Sequence, residues 1–470
     1  MILKKRNKIL KKMIAATLAL LILAAMSSCS GAYGHGGDSE FSLSTLEVIP
    51  SVGTAEGAIG NAPLPSEYRI LRENGAEDGF FASAGDQDIM SKTVFERNAM
   101  LYEQYGITIS EKTENDIASR VKNDMLSGKN DYDMLILKAN SAADLINTAA
   151  LADLEALAGF DSDAAGYNEK VISELSIGGR AFLAAGDATP SLLRATSTVV
   201  VNTELLAKVD NGTKKLFDLA RGGKFTYEAV LELSGALVSL NGAEGVTLPT
   251  AAISVTADDA LSLFYSGGGR FFYLDEVTDV PYAASFDGEN REIYSAVMSL
   301  FGISEDEAVS DDRSGMMTPL FTFLNIAELE ALAAGGAPFA ALPMPKMTVR
   351  QSEYICNVDM SMVAFTALPA KGASESSVAV MNLIYRLSNE VTRVISDACA
   401  PYGTNSEVLD IIFKSASCDQ LSLFGFGDPV GLMSSCVNER LSPKAFAIRA
   451  SERSLAAVTA LSIVSDKFSN

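Results

Sequence analysis

The run Met134, Leu135, Ile136, Leu137 constrains the fold most, because four consecutive apolar residues without alternation mark a strand covered on both faces. Helical patterns flank it on both sides. Val94, Phe95, Leu101, Tyr102 and Tyr105 recur at helical spacing, which predicts one buried face, and Gly106 stops that helix. A short β-branched strand follows at Ile107 to Ile109. Asn115 or Asp116 can cap a second helix that buries Ile117, Val121 and Met125 and ends at Gly128. Ser141 opens a third helix after the apolar run. Tyr68 to Leu71 supplies a first strand, with Glu73, Asn74 and Gly75 at its C-terminal end, and Asp86 to Asp88 cap the helix that follows. Helices alternating with strands in this way predict an α/β chain with a parallel, doubly wound sheet.

The beginning of the chain reads as an export signal. Lys4, Lys5, Arg6, Lys8, Lys11 and Lys12 precede the apolar run Met13 to Ala25, and Ser27, Ser28 and Cys29 follow. Thirteen apolar residues are too few to cross a hydrocarbon core of roughly 30 Å as a helix. An ordinary secretory signal cut near Ser28 is one reading. The other is a lipoprotein signal, since MSSC resembles a lipobox in which Cys29 is acylated and becomes the new N-terminus. Acyl chains stabilise membrane attachment by about 0.8 kcal/mol per buried methylene, so two or three make a stable anchor. That reading places the protein at the cell membrane, lipid-anchored and facing outward. Residues 29–66, rich in Gly, Ser, Ala and Pro, then read as a flexible tether.

Removing residues 1–28 takes away six basic groups and no acidic one, leaving 31 against 59, a net charge of −28. No basic run follows the leader. Nucleic acid is therefore not an expected partner.

The 400 or so residues beyond the tether suit two lobes, and several stretches resemble one family. YGITI, NDYDMLIL and AALADLEAL are similar to the N-terminal lobe of extracellular solute-binding proteins of bacterial ABC importers. GDATPS at 186–191 resembles the point where such a chain first leaves that lobe. TSTVVVNTELL at 196–206 resembles the strand and helix that follow, although Thr203 stands where the family has Lys. Further similarity runs through 216–233, where Phe225 and Tyr227 take the places of Trp, then 320–346, 351–372 and 405–428.

The resemblance implies a two-lobe, periplasmic-binding-protein-like (type II) fold, each lobe a doubly wound sheet flanked by helices. Residues 67–195 with 360–400 would form the N-terminal lobe, and 196–359 with 401–470 the C-terminal lobe. The ligand cleft between them would be faced by Glu73, Asn74, Lys138, Asn140, Ser141, Asp187, Asn357 and Asp359. It also implies a monomer that takes up a small solute and passes it to ABC permease subunits. Sugars are favoured by the family, while the absence of Trp, the best ring for stacking on sugars, pulls the other way.

The remaining residues exclude more chemistry than they suggest. The only histidine, His35, lies in the tether, so no Ser–His or Cys–His pair can form in the lobes. Asp161, Asp163 and Gly166 begin like a calcium loop, but Ala165 and Ile172 occupy positions that need oxygen ligands. No cofactor or metal is expected. A turn at Ser266 to Arg270 could cradle an anion, but it lacks the phosphate-loop frame and follows a helix, so a flexible turn is the favoured account. Val171 to Ala185 predicts a strand pair about Gly178 and Gly179. Cys356, Cys399, Cys418 and Cys436 allow three disulfide pairings or none. Two other functions stay open: a surface sensor on the same fold, and a hydrolase using two carboxylates.

Overall fold

The structure, a computed structural model, describes residues 63–76, 79–83, 85–209, 211–240, 252–275, 277–302, 319–336, 338–400 and 406–468. The leader, Cys29, His35 and the tether up to residue 62 lie outside the described residues.

The first sheet has the order β2-β1-β3-β11, with β11 at Ala364–Ala367. Strand β1 (Glu67–Glu73) pairs in parallel with β2 (Thr108–Glu114) and with β3 (Met134–Lys138). Met134 to Leu137 are fully buried, as a strand covered on both faces must be. Asp88 and Asp116 cap the helices Ile89–Tyr105 and Ile117–Ser127, accepting from Ser91 N at 2.8 Å and Ser119 N at 3.1 Å. Gly106 and Gly128 end those helices at φ 71° and 74°, a left-handed conformation that costs glycine little.

The second sheet has the order β5-β8-β4-β9, while β6 (Phe272–Leu274) and β7 (Pro281–Ala283) pair apart from it. Here β5 (Ile253–Ser254) runs parallel to β8 (Phe321–Asn325), while β4 (Ser197–Asn202) is antiparallel to β8 and to β9 (Phe339–Leu342). Neither sheet is wholly parallel, because β11 (Ala364–Ala367) also runs antiparallel to β3. The cause is connectivity. A strand such as β1 ends at the edge facing the other lobe, whereas β4 and β11 enter from the other lobe and begin at that edge.

Between the sheets, three segments of the chain lie side by side. Thr196 bridges Val358, Asp359 N donates to Ala195 O at 3.0 Å, and β10 (Cys356–Asn357) pairs with β12 (Ala416–Ser417). One apolar cluster runs through this crossing, from Ile117 and Leu145 in the first lobe to Val200 and Phe321 in the second.

Three expectations are corrected, and two alternatives left open by the sequence are decided. Phe95 and Tyr102 are 40% and 62% exposed, and the helix instead buries Arg97, 1% exposed, beside Val94 and Leu101. Apolar spacing could not reveal that a guanidinium would satisfy loop carbonyls there. The stretch from Val171 is no strand pair: Glu169–Glu174 is a helix capped by Asn168, and only the tight bridge Ile177 to Arg180 surrounds Gly178 and Gly179. The helix after β3 begins at Ala139, two residues before Ser141. Cys356, Cys399, Cys418 and Cys436 are buried free thiols, and burial pushes the Cys356 and Cys399 thiols up to about 12. Arg270 forms no open anion cradle, since its guanidinium donates to Gly269 O at 2.8 Å and lies 5.6 Å from the Tyr265 ring centre.

Candidate functional site

In parallel sheets the free backbone ends of strands and the starts of the following helices gather at one edge, where ligands bind. At that edge of the first sheet, Glu73 Oε2 accepts from Lys138 N at 2.9 Å, and Lys138 Nζ donates to Asn74 O at 2.9 Å. Asn74 Nδ2 reaches Asn115 Oδ1 at 2.8 Å. Asn140 is exposed and Ser141 half-buried in the first turn of the helix Ala139–Asn147. These five predicted residues thus come together, with Asn115 as an addition.

The edge continues into the second lobe. Lys138 is the register partner of Ala364, and two residues earlier stands Met362, 37% exposed. Asn325 Nδ2 lies 3.5 Å from Met362 Sδ, and Asn325 is in turn the register partner of Ser197. Ser197 Oγ is buried with no hydrogen-bond partner in the structure. A buried hydroxyl without a partner loses about 1–3 kcal/mol that a ligand group could restore. Glu73, Asn74, Lys138, Met362, Asn325 and Ser197 therefore form a continuous floor across the crossing strands. Its groups are donors and acceptors of mixed kind, suited to a neutral polar molecule.

The other predicted residues lie apart from this floor or serve the backbone. Asp359, in the turn leading to Met362, accepts from Ser361 N at 2.9 Å and from Ser361 Oγ at 2.7 Å. Asn357 Nδ2 contacts Ser262 Oγ at 3.3 Å. Asp187 accepts from Thr392 Oγ1 at 2.7 Å, and burial raises its carboxyl above the usual range. Sequence reasoning missed Ser197, Asn325 and Met362. Their signal was only positional: the first residue of β4 and the cap of the helix Ile326–Ala334, where Asn325 and Glu328 form a capping box.

A cavity of about 260 Å³ also spans the crossing, lined by Glu174, Tyr265, Arg270, Tyr273, Asp419 and Gln420 among others. Several of its polar groups are already engaged. Glu174 accepts from Ser417 Oγ at 2.9 Å and Cys418 N at 2.8 Å, Asp419 accepts from Tyr265 Oη at 2.8 Å, and Gln420 Nε2 donates to Ser176 O at 2.6 Å. This makes the cavity a joint between lobes. Among the described residues, no group of three or more His, Cys, Asp or Glu side chains could hold a metal ion.

Burial raises the carboxyls of both Glu174 and Asp419. A carboxyl raised on folding stabilises the fold while protonated, and that contribution is lost as pH rises through its folded value. Asp419→Asn removes the titration and keeps an acceptor for Tyr265. Thermal midpoints measured from pH 7 down to pH 4.5 are expected to show the unsubstituted protein gaining on this variant as pH falls. A gap constant with pH would contradict the burial effect.

Comparison with known proteins gives fold without close sequence kinship. No protein-family model matches the chain, and no curated protein matches its sequence. A cyclic alpha-maltosyl-1,6-maltose binding protein from Arthrobacter globiformis superposes with a TM-score of 0.54 at 14% identity, covering 84% of this chain and 100% of its own. A cyclo/maltodextrin-binding protein complexed with maltotetraose gives 0.53 at 12% identity, over 84% and 97%. A sugar transporter from Rhizobium etli in an open conformation gives 0.53 at 10% identity, over 83% and 98%. The chain has the two-lobe, periplasmic-binding-protein-like fold of these solute-binding proteins.

Proposed function

We propose that the protein captures a small solute, by preference a sugar or oligosaccharide, on the floor between its lobes and delivers it to the permease of an ABC importer. The observation that carries this reading is the contact of Asn325, the register partner of Ser197, with Met362, which stands two residues before the register partner of Lys138. Contacts from both lobes are complete only when the lobes close, so binding favours the closed form. The mixed donors and acceptors suit hydroxyl groups, and the superposed proteins named above for sugars add support. In this reading residues 67–195 with 360–400 form one lobe and 196–359 with 401–470 the other. The protein works as a monomer held outside the cell membrane by a lipid on Cys29, and it releases its solute unchanged.

A dye-based thermal-unfolding screen of residues 63–470 against oligosaccharides, monosaccharides, amino acids and peptides tests it. A solute at 100 times its dissociation constant adds about 2.7 kcal/mol. For a chain of this size each kcal/mol moves the midpoint by about 2–4 °C. A shift with sugars, and the sugar recovered intact, is the expected result. A shift confined to another class would overturn the sugar preference, and a cleaved sugar would overturn simple binding.

A further inference from the structure

The cavity of about 260 Å³ at the joint joins apolar side chains, Phe271, Phe272 and Leu274, to two charged groups, Arg270 and Glu174. Arg270 comes from the turn after the helix Ala260–Ser266. Its Nη1 donates to Gly269 O at 2.8 Å and to Tyr265 O at 3.4 Å, and the guanidinium lies 5.6 Å from the Tyr265 ring centre. These contacts hold the group in place. Nε and Nη2 carry further N–H donors, which make no hydrogen bond or ion pair among the described residues.

Glu174 closes the helix Glu169–Glu174 and faces the same cavity. Its carboxylate accepts from Ser417 Oγ and Cys418 N, and Lys170 Nζ lies 3.9 Å from Oε1. A carboxylate has about four lone-pair positions, so acceptor capacity remains. Burial raises the Glu174 carboxyl most, while the charges of Lys170 and Arg270 pull it down, so the guanidinium is near enough to be felt. Yet Arg270 and Glu174 make no ion pair among the described residues. A guanidinium and a carboxylate that share a cavity without meeting leave room for a group that bridges them. Asp419 plays no such part, because it is taken up by Tyr265 Oη and by the N and Oγ of Ser422. Tyr273, 41% exposed, stands where the wall meets solvent, its ring 5.8 Å from that of Tyr282 across the hairpin of β6 and β7.

We propose that this cavity is a second binding site, separate from the floor, for a free α-amino acid with an apolar side chain such as leucine or phenylalanine. Its carboxylate takes the open donors of Arg270, whose planar fork matches a carboxylate, and its ammonium donates to Glu174. The apolar side chain lies against Phe271, Leu274 and the Tyr273 ring. The turn at Ser266 to Arg270 gives no open cradle, but the guanidinium gives an enclosed one. The volume equals that of about nine waters at about 30 Å³ each, which such an amino acid does not exceed.

Titration calorimetry with leucine and with phenylalanine, on the chain used in the thermal screen, tests the site. One or both should bind, and leucinamide, which lacks the carboxylate, should not. Arg270→Gln is expected to weaken binding by about 10- to 100-fold, the loss of a charged hydrogen-bonded pair. Tyr273→Ala at the exposed rim should weaken it by about three- to tenfold, and it serves alone should Arg270→Gln not fold. Lys138→Ala, which acts on the floor, should not weaken it. No binding of either amino acid, leucinamide binding as tightly as leucine, or an affinity that survives both cavity substitutions would overturn the site. An amino acid lost on Lys138→Ala but kept on Arg270→Gln would sit on the floor, overturning this site and the sugar preference together. Arg270-dependent binding in a protein that takes no sugar would uphold this site while the sugar reading fails.

Discussion

Arg97→Met is expected to destabilise the protein by about 3 kcal/mol, although the position lies far from the floor and the substitution adds apolar character. The Arg97 guanidinium donates to Gly79 O at 2.7 Å, Phe80 O at 2.9 Å, Asn98 Oδ1 at 2.9 Å and Ser388 Oγ at 2.9 Å. It thereby ties the loop before the helix Ile89–Tyr105 to the residue that opens the helix Asn389–Cys399. Methionine fills much of the volume but leaves the Gly79 and Phe80 carbonyls without these donors, at about 1–3 kcal/mol for each buried group. Urea unfolding measures the loss. Tyr102→Ser on the exposed side of the same helix should change stability by only about 0.5 kcal/mol. If the Tyr102 variant were the more damaged, the helix would be turned the other way.

Lys138→Ala is expected to weaken solute binding by about 10- to 100-fold, or roughly 1.4–2.8 kcal/mol, with little change in the thermal midpoint of the free protein. The ammonium is the floor's only cation, half-exposed, and its bond to Asn74 O holds it at the strand ends of the first sheet. Asn325→Ala should also weaken binding, from the opposite lobe, if both lobes hold the solute. Titration calorimetry with the best sugar from the screen measures both. Affinity unchanged in both variants would remove the floor as the site.

Much of the first lobe was legible because short-range signals dominate there. The covered strand at Met134 to Leu137, the caps at Asp88 and Asp116 and the stops at Gly106 and Gly128 all lie where their residue chemistry puts them. The orientation of the helix Ile89–Tyr105 was not legible, since Arg97 is buried by carbonyls contributed from Gly79 and Phe80, which no periodicity reports. The same limit applies to the site. Glu73, Asn74 and Lys138 follow from strands ending at one edge, so a sequence pattern finds them. Ser197, Asn325 and Met362 reach the floor through the antiparallel register of β4 with β8 and of β11 with β3. That register follows from the crossings between lobes, a long-range feature without a local signature.

The most direct measurement is a crystal structure of the protein grown with the best sugar from the thermal screen. Density for the sugar should lie between Lys138 and Asn74 on one side and Asn325 and Ser197 on the other, with the lobes closed upon it. Density in the cavity beside Glu174 and Tyr273 instead, or on an outer face of either lobe, would contradict a solute site on the floor.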